Sequence, residues 1–391
     1  LGLRAGVASA ADQAAATGPY CNPITTDNCL LPWPSSFYLT KDTTTQTGWK
    51  MAYDKKALPT NVDGDWLDPT RYNLADGFPV SSQAVLFLGG GFSTATLPDM
   101  DSIADSTSDK SFIWILDMAT GEKMPLWAEL DENGAADENK PLIIRPARVF
   151  KFNTRYVIVL RKGLKDKAGQ LIAPPAPFKK VLDGAAITDP TLKAEAARLA
   201  PVLTFLTSKG IKKTDLVLAW DFHTASKEFV RSNLINMAKE ARAKLPATGP
   251  KFTITKTEET PTDTNLLRYI TGKFTVPSYL ASDAESAILK LDAKGKPVYR
   301  GDQEFTFRVN IPKCAKTATA PLPILYYGMG LFSAPLEDMN SSFDRKFPND
   351  LCMITASTAW IGLSFPDLAL IIQKVITENF NRVVCKQLAE Q

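Results

Sequence analysis

Residues 321–331, Pro-Leu-Pro-Ile-Leu-Tyr-Tyr-Gly-Met-Gly-Leu, constrain the fold of this chain most. An apolar run of strand type stops at Gly-x-Gly and passes through Phe332-Ser333-Ala334-Pro335 to Glu337-Asp338, an acidic pair that reads as a helix start. Leu351-Cys-Met-Ile-Thr-Ala356 reads as the next buried strand. Asp367 to Leu388 reads as a long amphipathic helix, with Leu370, Ile371, Val375, Phe380, Val384 and Leu388 on one side. Strand, glycine loop, helix start, strand and helix predict an α/β arrangement for this region.

The chain before it is richer in strands. Residues 20–80 hold many Pro, Asp, Asn and Trp with little periodicity, which predicts an extended, loop-rich wrap. In residues 81–185, apolar Ala84 to Leu88, Ser111 to Asp117 closed by Ala119-Thr-Gly121, Leu142 to Pro146 and Arg155 to Leu160 are strands without intervening helices. That spacing predicts an antiparallel sandwich, immunoglobulin-like in plan. Residues 186–250 read as helix, strand and helix: Pro190 to Ser208, Leu216 to Phe222, and Thr224 to Lys244 with an apolar stripe of Phe229, Leu234, Met237 and Ala241. Residues 251–320 return to strands, of which Glu304 to Pro312 alternates apolar and polar residues.

Composition removes some classes of function. The 391 residues include 45 basic and 42 acidic side chains, a net charge of +3. No Lys/Arg block interleaves with aromatics, so no field is directed at nucleic acid. The apolar stretches near Pro321 and from Trp360 to Ile372 are broken by Pro or Asp and fall short of a transmembrane segment. Within residues 1–19, the Ala-rich stretch Leu1 to Ala16, with Arg4 and Ala8-Ser9-Ala10, reads as a residual targeting segment or as a disordered tail. Cys21 and Cys29 bracket a step with Asn-Pro and Asp-Asn turn chemistry, which predicts a disulfide and an oxidising compartment: secreted, periplasmic or organellar. Cys314, Cys352 and Cys385 lie among apolar neighbours and read as buried thiols, with a pairing of Cys314 with Cys352 left open.

Candidate chemistry is sparse. Gly89-Gly90-Gly91 is followed by neither Lys-Ser/Thr nor a helix pattern, so it reads as a strand-end turn rather than a phosphate cradle. Glu129 and Asp131 would share one strand face as a solvated edge, without an acid/base partner. His223 is the single histidine and reads as structural; one imidazole without Cys or carboxylate partners at ligand spacing makes no metal site. Neither metal nor cofactor is expected.

Several short motifs, in order, resemble one family. Cys29-Leu-Leu-Pro-Trp-Pro-Ser-Ser-Phe-Tyr38, Asp42 with Thr47-Gly48, Ala57-Leu-Pro-Thr-Asn61 and Asn73-Leu-Ala-Asp-Gly-Phe78 are similar to the N-terminal region of large secreted bacterial α/β-hydrolases, of which the virulence-factor lipases are one branch. Trp220-Asp-Phe-His-Thr-Ala-Ser226, Gly272-Lys-Phe-Thr-Val-Pro277 and Phe305 to Pro312 continue the likeness, the last two as the antiparallel lead-in strands that open the sheet. Tyr156 to Gly169 resembles the strand, turn and Asp-x-x-Gly corner of bacterial Ig-like modules.

The resemblance implies that residues 251–391 form an incomplete α/β-hydrolase-like domain and that the strand bearing the serine follows the last helix. It also implies a vestigial oxyanion-type loop at Gly328, Met329, Gly330 and Leu331, with Met329 at the position of the usual His. Ester hydrolysis by such a fold needs a Ser on a strained elbow, a His to take its proton and a carboxylate to orient the His. Gly-x-Ser-x-Gly does not occur. The nearest string, Gly362-Leu-Ser-Phe-Pro366, lacks the second Gly, and its Ser364 stands one unit too early, so no catalytic residue is assigned. The expected function is that of a catalytically incomplete hydrolase homologue serving as a structural or assembly subunit. Two alternatives stand beside it: the N-terminal fragment of a secreted lipase or esterase whose catalytic half is on another chain, and a carbohydrate- or peptide-binding β-sandwich presenting Trp33, Trp49 and Trp66. The first two predict a protein partner covering the sheet edge near Leu351 to Ala356 and the helix Asp367 to Leu388.

Overall fold

The computed structural model describes residues 18–60, 65–132, 140–284, 287–293, 295–334, 339–359, 361 and 364–377. The segment Leu1 to Ala16, Asn61, the pair Glu337-Asp338, Cys385 and the part of the last helix beyond Thr377 lie outside the described residues. The chain mixes helices with sheets, is rich in antiparallel strands, and divides into two compact units at Val230/Arg231.

In the first unit the wrap contributes a small hairpin, β1 (Leu39–Lys41) and β2 (Trp49–Met51). Beyond it come β3 (Ala84–Leu86), β4 (Ile113–Asp117), β5 (Leu126–Leu130), β6 (Leu142–Pro146) and β7 (Arg155–Arg161). Two helices follow, α1 (Ala176–Asp183) and α2 (Pro190–Ser208), and then β8 (Leu216–His223). The strands form two antiparallel sheets, ordered β3-β6-β5 and β4-β7-β8. β8 comes from the 186–250 stretch, so residues 81–185 do not complete their second sheet alone. β7 lies at the centre of that sheet, between β4 and β8, and its Tyr156 to Leu160 are all buried, so both of its faces are covered. α2 starts where its chemistry says it should: Pro190 occupies the first turn and the Asp189 carboxylate accepts the Leu192 amide at 2.7 Å.

Two motifs about 150 residues apart meet at the end of β8. The Ser226 amide donates to Asp76 at 3.0 Å, the Phe78 amide to the His223 carbonyl at 2.9 Å, and the Ala225 amide to the Phe78 carbonyl at 2.8 Å. Between them stands Gly77, where a Cβ would lie 2.6 Å from the Ala225 nitrogen; the contact exists because that position has no side chain. Trp220 is fully buried and its indole donates to the Pro34 carbonyl at 2.8 Å, which ties the wrap to the same strand. Cys21 and Cys29 are disulfide-bonded, as their spacing predicts.

The interior of this unit also holds charge. Asp221, fully buried on β8, accepts from Arg155 Nε at 2.7 Å and from Arg198 of α2. Arg198 spends its remaining nitrogens on both oxygens of buried Glu195, at 2.7 and 2.6 Å. Burial alone would raise the Asp221 carboxyl, but Arg198 and Arg155 outweigh it and hold the group below the usual carboxylate range.

α3 (Lys227–Lys244) carries the division between the units. Its expected apolar stripe is not a buried one: Phe229 and Leu234 are 45% and 69% exposed, and Ser232 is the helix's buried residue. Met237 and Ala241 are half-buried, so the amphipathic spacing here marks a partly covered face and not a buried core.

The second unit holds β9 (Phe252–Glu259), β10 (Leu266–Ser278), β11 (Gly301–Pro312), β12 (Ile324–Tyr326), α4 (Ser342–Asp350), β13 (Ile354–Thr358) and α5 (Phe365–Thr377). They form one sheet ordered β12-β13-β11-β10-β9, antiparallel except for the β12–β13 pair, whose parallel sense requires the crossover that α4 occupies. The sheet edge expected near Leu351 to Ala356 is therefore not an edge. β13 is flanked by β11 and β12, and among the described residues the open strands are β9 and β12.

Two further expectations change here. Cys314 and Cys352, read as thiols, are joined; the Cys314 amide is held by Asn349 of α4 at 3.0 Å, and the two Cα atoms stand 5.7 Å apart. β11 alternates as expected, but two of its three buried residues, Arg308 and Asn310, are polar, the third being Pro312. Arg308 and Asn310 lie under the Met339-Asn340 segment, bonded to the Asn340 side chain and the Met339 carbonyl at 3.0 Å each, while Phe305, Phe307 and Val309 are half-buried.

Arg198→Ala leaves Asp221 and Glu195 buried with their compensation reduced, and is expected to lower the unfolding free energy by about 3–5 kcal/mol. Lys179→Ala, which opens the exposed pair with Asp183, is expected to cost under ~1 kcal/mol. Urea denaturation of both variants beside the parent chain measures the difference.

Candidate functional site

Strand parity defines the open edge of the second sheet. Residues along a strand direct their backbone groups alternately to the two neighbours. The Pro323 carbonyl accepts from Ile354 at 2.9 Å and the Tyr327 amide donates to Ala356 at 2.8 Å, so the odd-numbered residues of β12 serve β13. The backbone groups of Ile324 and Tyr326 therefore face the open side, and their side chains are 67% and 66% exposed. Because β13 has neighbours on both flanks, a further strand parallel to β12 can join this part of the sheet only along that side.

At the carboxyl end of β12 lies the glycine loop. Gly328 and Gly330 are exposed, Met329 is buried and Leu331 is exposed. Gly330 to Ser333 form a turn closed by the Ser333 amide on the Gly330 carbonyl at 3.2 Å, with Phe332 at φ 58°, a left-handed value rare for a side chain of that size. The amides of Met329, Leu331 and Phe332 make no hydrogen bond among the described residues. The loop thus holds unspent donors at the carboxyl end of the parallel pair β12–β13, the end of α/β sheets at which ligands bind.

Ser364 lies close to this loop through α5, whose Phe365 amide donates to the Ser333 carbonyl at 3.1 Å. Its hydroxyl donates to Asp367 at 2.6 Å and its amide to the same carboxylate at 2.8 Å, both residues being buried. That is an N-terminal cap, with the hydroxyl spent on the helix start. His223, in the first unit, pairs through Nε2 with the Asn153 side chain at 2.8 Å. Burial and the neighbouring Arg155 push its pKa below the ordinary 6.5 against the opposing pull of Asp221 and Asp76. Neither group is arranged as a nucleophile and its base.

The remaining candidates have structural partners. Glu129 pairs with Arg145, and the Gly89 amide donates to Asp27 at 3.1 Å, so the glycine triplet serves a turn. Trp33 is half-buried with its indole on Tyr53 at 2.8 Å, and Trp49 is half-buried; of the three tryptophans proposed for ligand binding, Trp66 alone is exposed. Among the described residues no group of three His, Cys, Asp or Glu is placed to hold a metal, and no helix is long and apolar enough to cross a membrane. Sequence reasoning passed over the Asp221 charge ladder, although a lone carboxylate inside the apolar run Leu216 to Phe222 was its signal.

Compared with protein-family models, with curated proteins and with solved structures, the chain matches none.

The folded state binds the His223 proton more weakly than the unfolded chain does, so this group's contribution is present above pH ~6.5 and is lost as pH falls. Unfolding midpoints taken between about pH 7.5 and pH 5.5 are expected to decline toward acid, and His223→Gln is expected to flatten that decline, no other histidine being present.

Proposed function

We propose that this chain is the scaffold half of a secreted ester hydrolase of the α/β-hydrolase kind. In this reading Met329 and Leu331, within the Gly328 to Leu331 loop, supply oxyanion-type amides, while the serine and its base come from a strand that pairs along the open side of β12. The carrying observation is that free backbone edge and free loop amides occur together at one end of one strand. A strand entering there runs past Ile324, Tyr326 and Gly328 and delivers its own turn to the loop. Hydrogen-bond donors fixed beside a developing oxyanion are worth two to three powers of ten in rate, which is what this half would contribute.

The antiparallel lead-in of β10 and β11, followed by a parallel pair with a helix between, supports the hydrolase resemblance. The two disulfides support an oxidising location, and the antiparallel sheets of the first unit support an Ig-like accessory part that positions rather than catalyses. Met329, standing where the family has His, favours a second reading in which the same half is catalytically silent and serves assembly alone.

The purified chain is expected to turn over a short-chain nitrophenyl ester no faster than Ser364→Ala, a variant expected to lose about 1 kcal/mol of stability as a helix cap. Saturable turnover that Ser364→Ala abolishes overturns the proposal. Isolated from its native source, the chain is expected to carry a polypeptide with Gly-x-Ser-x-Gly. Tyr326→Pro removes an outward amide while sparing the β13 ladder and is expected to release that polypeptide. A partner complex that binds through β12 but hydrolyses no ester selects the silent assembly subunit.

A further inference from the structure

A cavity of about 370 Å³ opens in the first unit, lined by Trp114 of β4, Arg161 of β7, Gly121 and Lys123 from the turn before β5, and Lys209 and Ile211 beyond α2. Its charges are three cations, Lys123, Arg161 and Lys209, against two carboxylates, Asp109 and Asp215. These charges are not matched pair for pair. Lys123 is satisfied by Asp109 at 2.9 Å, and that carboxylate is itself almost wholly in solvent. Lys209 makes no ion pair among the described residues. Arg161 gives one nitrogen, Nη1, to the Asp109 and Ser111 carbonyls at 2.9 and 3.0 Å, while its Nη2 makes no hydrogen bond among the described residues and its Nε is enclosed without an acceptor.

The fold holds these cations in place. Lys123 and Arg161 lie over the Trp114 ring, 3.6 and 4.0 Å from its centroid, an attraction between charge and ring face that keeps both side chains at the wall. Lys209 lies across Gly121, where a Cβ would fall 2.5 Å from Nζ; with φ at +80° the turn demands glycine, and the absent side chain leaves the ammonium its room. Nη2 of Arg161 makes no hydrogen bond among the described residues, and the Lys209 ammonium rests only near the Phe205 ring, so two donors of one cavity lack an oxygen acceptor that a ligand can supply.

We infer that this cavity binds a small oxyanion, a phosphate or polycarboxylate group held by Arg161 and Lys209. The chemistry follows from the donors: a planar guanidinium fork and a mobile ammonium suit an anion with several oxygens. Charged side chains and glycine dominate the walls over Leu116 and Ile211, so a fatty acyl chain gains little there. The site is independent of the Gly328 loop and of the reading built on it.

Calorimetric titration of the purified chain with inorganic phosphate and with citrate, each up to about 10 mM against a sodium chloride control, tests it. Saturable heat with phosphate alone identifies a phosphate ligand, and with citrate alone a polycarboxylate; either supports the site. Lys209→Met, at an exposed position that leaves the core intact, is expected to weaken binding about tenfold, and Arg161→Lys to weaken it further by removing the fork. Lys179→Met, outside the cavity, is expected to leave affinity unchanged. Absence of saturable heat with both anions, an affinity unaltered by Lys209→Met, or octanoate binding more tightly than either anion overturns the inference.

Discussion

Asp221 is the constraint on which the first unit depends. Moving a carboxylate out of water costs several kcal/mol, recovered only where opposite charge and hydrogen bonds meet it in good geometry. Arg155 on the neighbouring strand and Arg198 on α2 provide this, and Glu195 neutralises what Arg198 has to spare. Two positive and two negative groups close the account. In the β7–β8 ladder Arg155 pairs with His223 and Val157 with Asp221, so Arg155 lies diagonally from the carboxylate on one face. A slip of one residue would turn Asp221 to the other face and strip it of both partners. The ladder thus sets the register of β8 and the seat of α2 together.

Register then fixes the rest of that unit. Alternation puts Trp220 on the face opposite Asp221, where its indole meets Pro34 of the wrap. The end of β8 carries the backbone bonds to Phe78 that pin the wrap a second time. A segment with few regular elements is therefore held by a strand whose position a buried charge determines. The second unit is organised differently: among the described residues its sheet leaves β12 with one unpaired side, and the parity set by β13 decides which backbone groups that side presents.

Much of this could be read locally. Helical spacing from Pro190 to Ser208 announced α2, and the close spacing of Cys21 and Cys29 announced their bond. Cys314 and Cys352 are 38 residues apart and meet only because the segment after β11 returns to the end of α4, so spacing could not settle their pairing. The stripe on α3 shows the converse limit: helical periodicity records which side could be buried, and burial needs a neighbour to cover it. The loop at Gly328 was legible as a strand end with glycines, but the free amides at Met329 and Leu331 were not, since they depend on where the turn at Phe332 sends the chain.

By itself the amino-acid order determined the local periods, the turns, the first disulfide and the absence of a serine elbow within these residues. Tertiary structure alone decided which strand stands at the edge, which carboxylate is neutralised in the interior, and which cations share a cavity. The physical reason is that period and turn chemistry act over a few residues, whereas edge, charge pairing and cavity depend on a crossover that carries β13 between β11 and β12, and on a ladder that brings Arg155, Asp221 and Arg198 together from three separate elements.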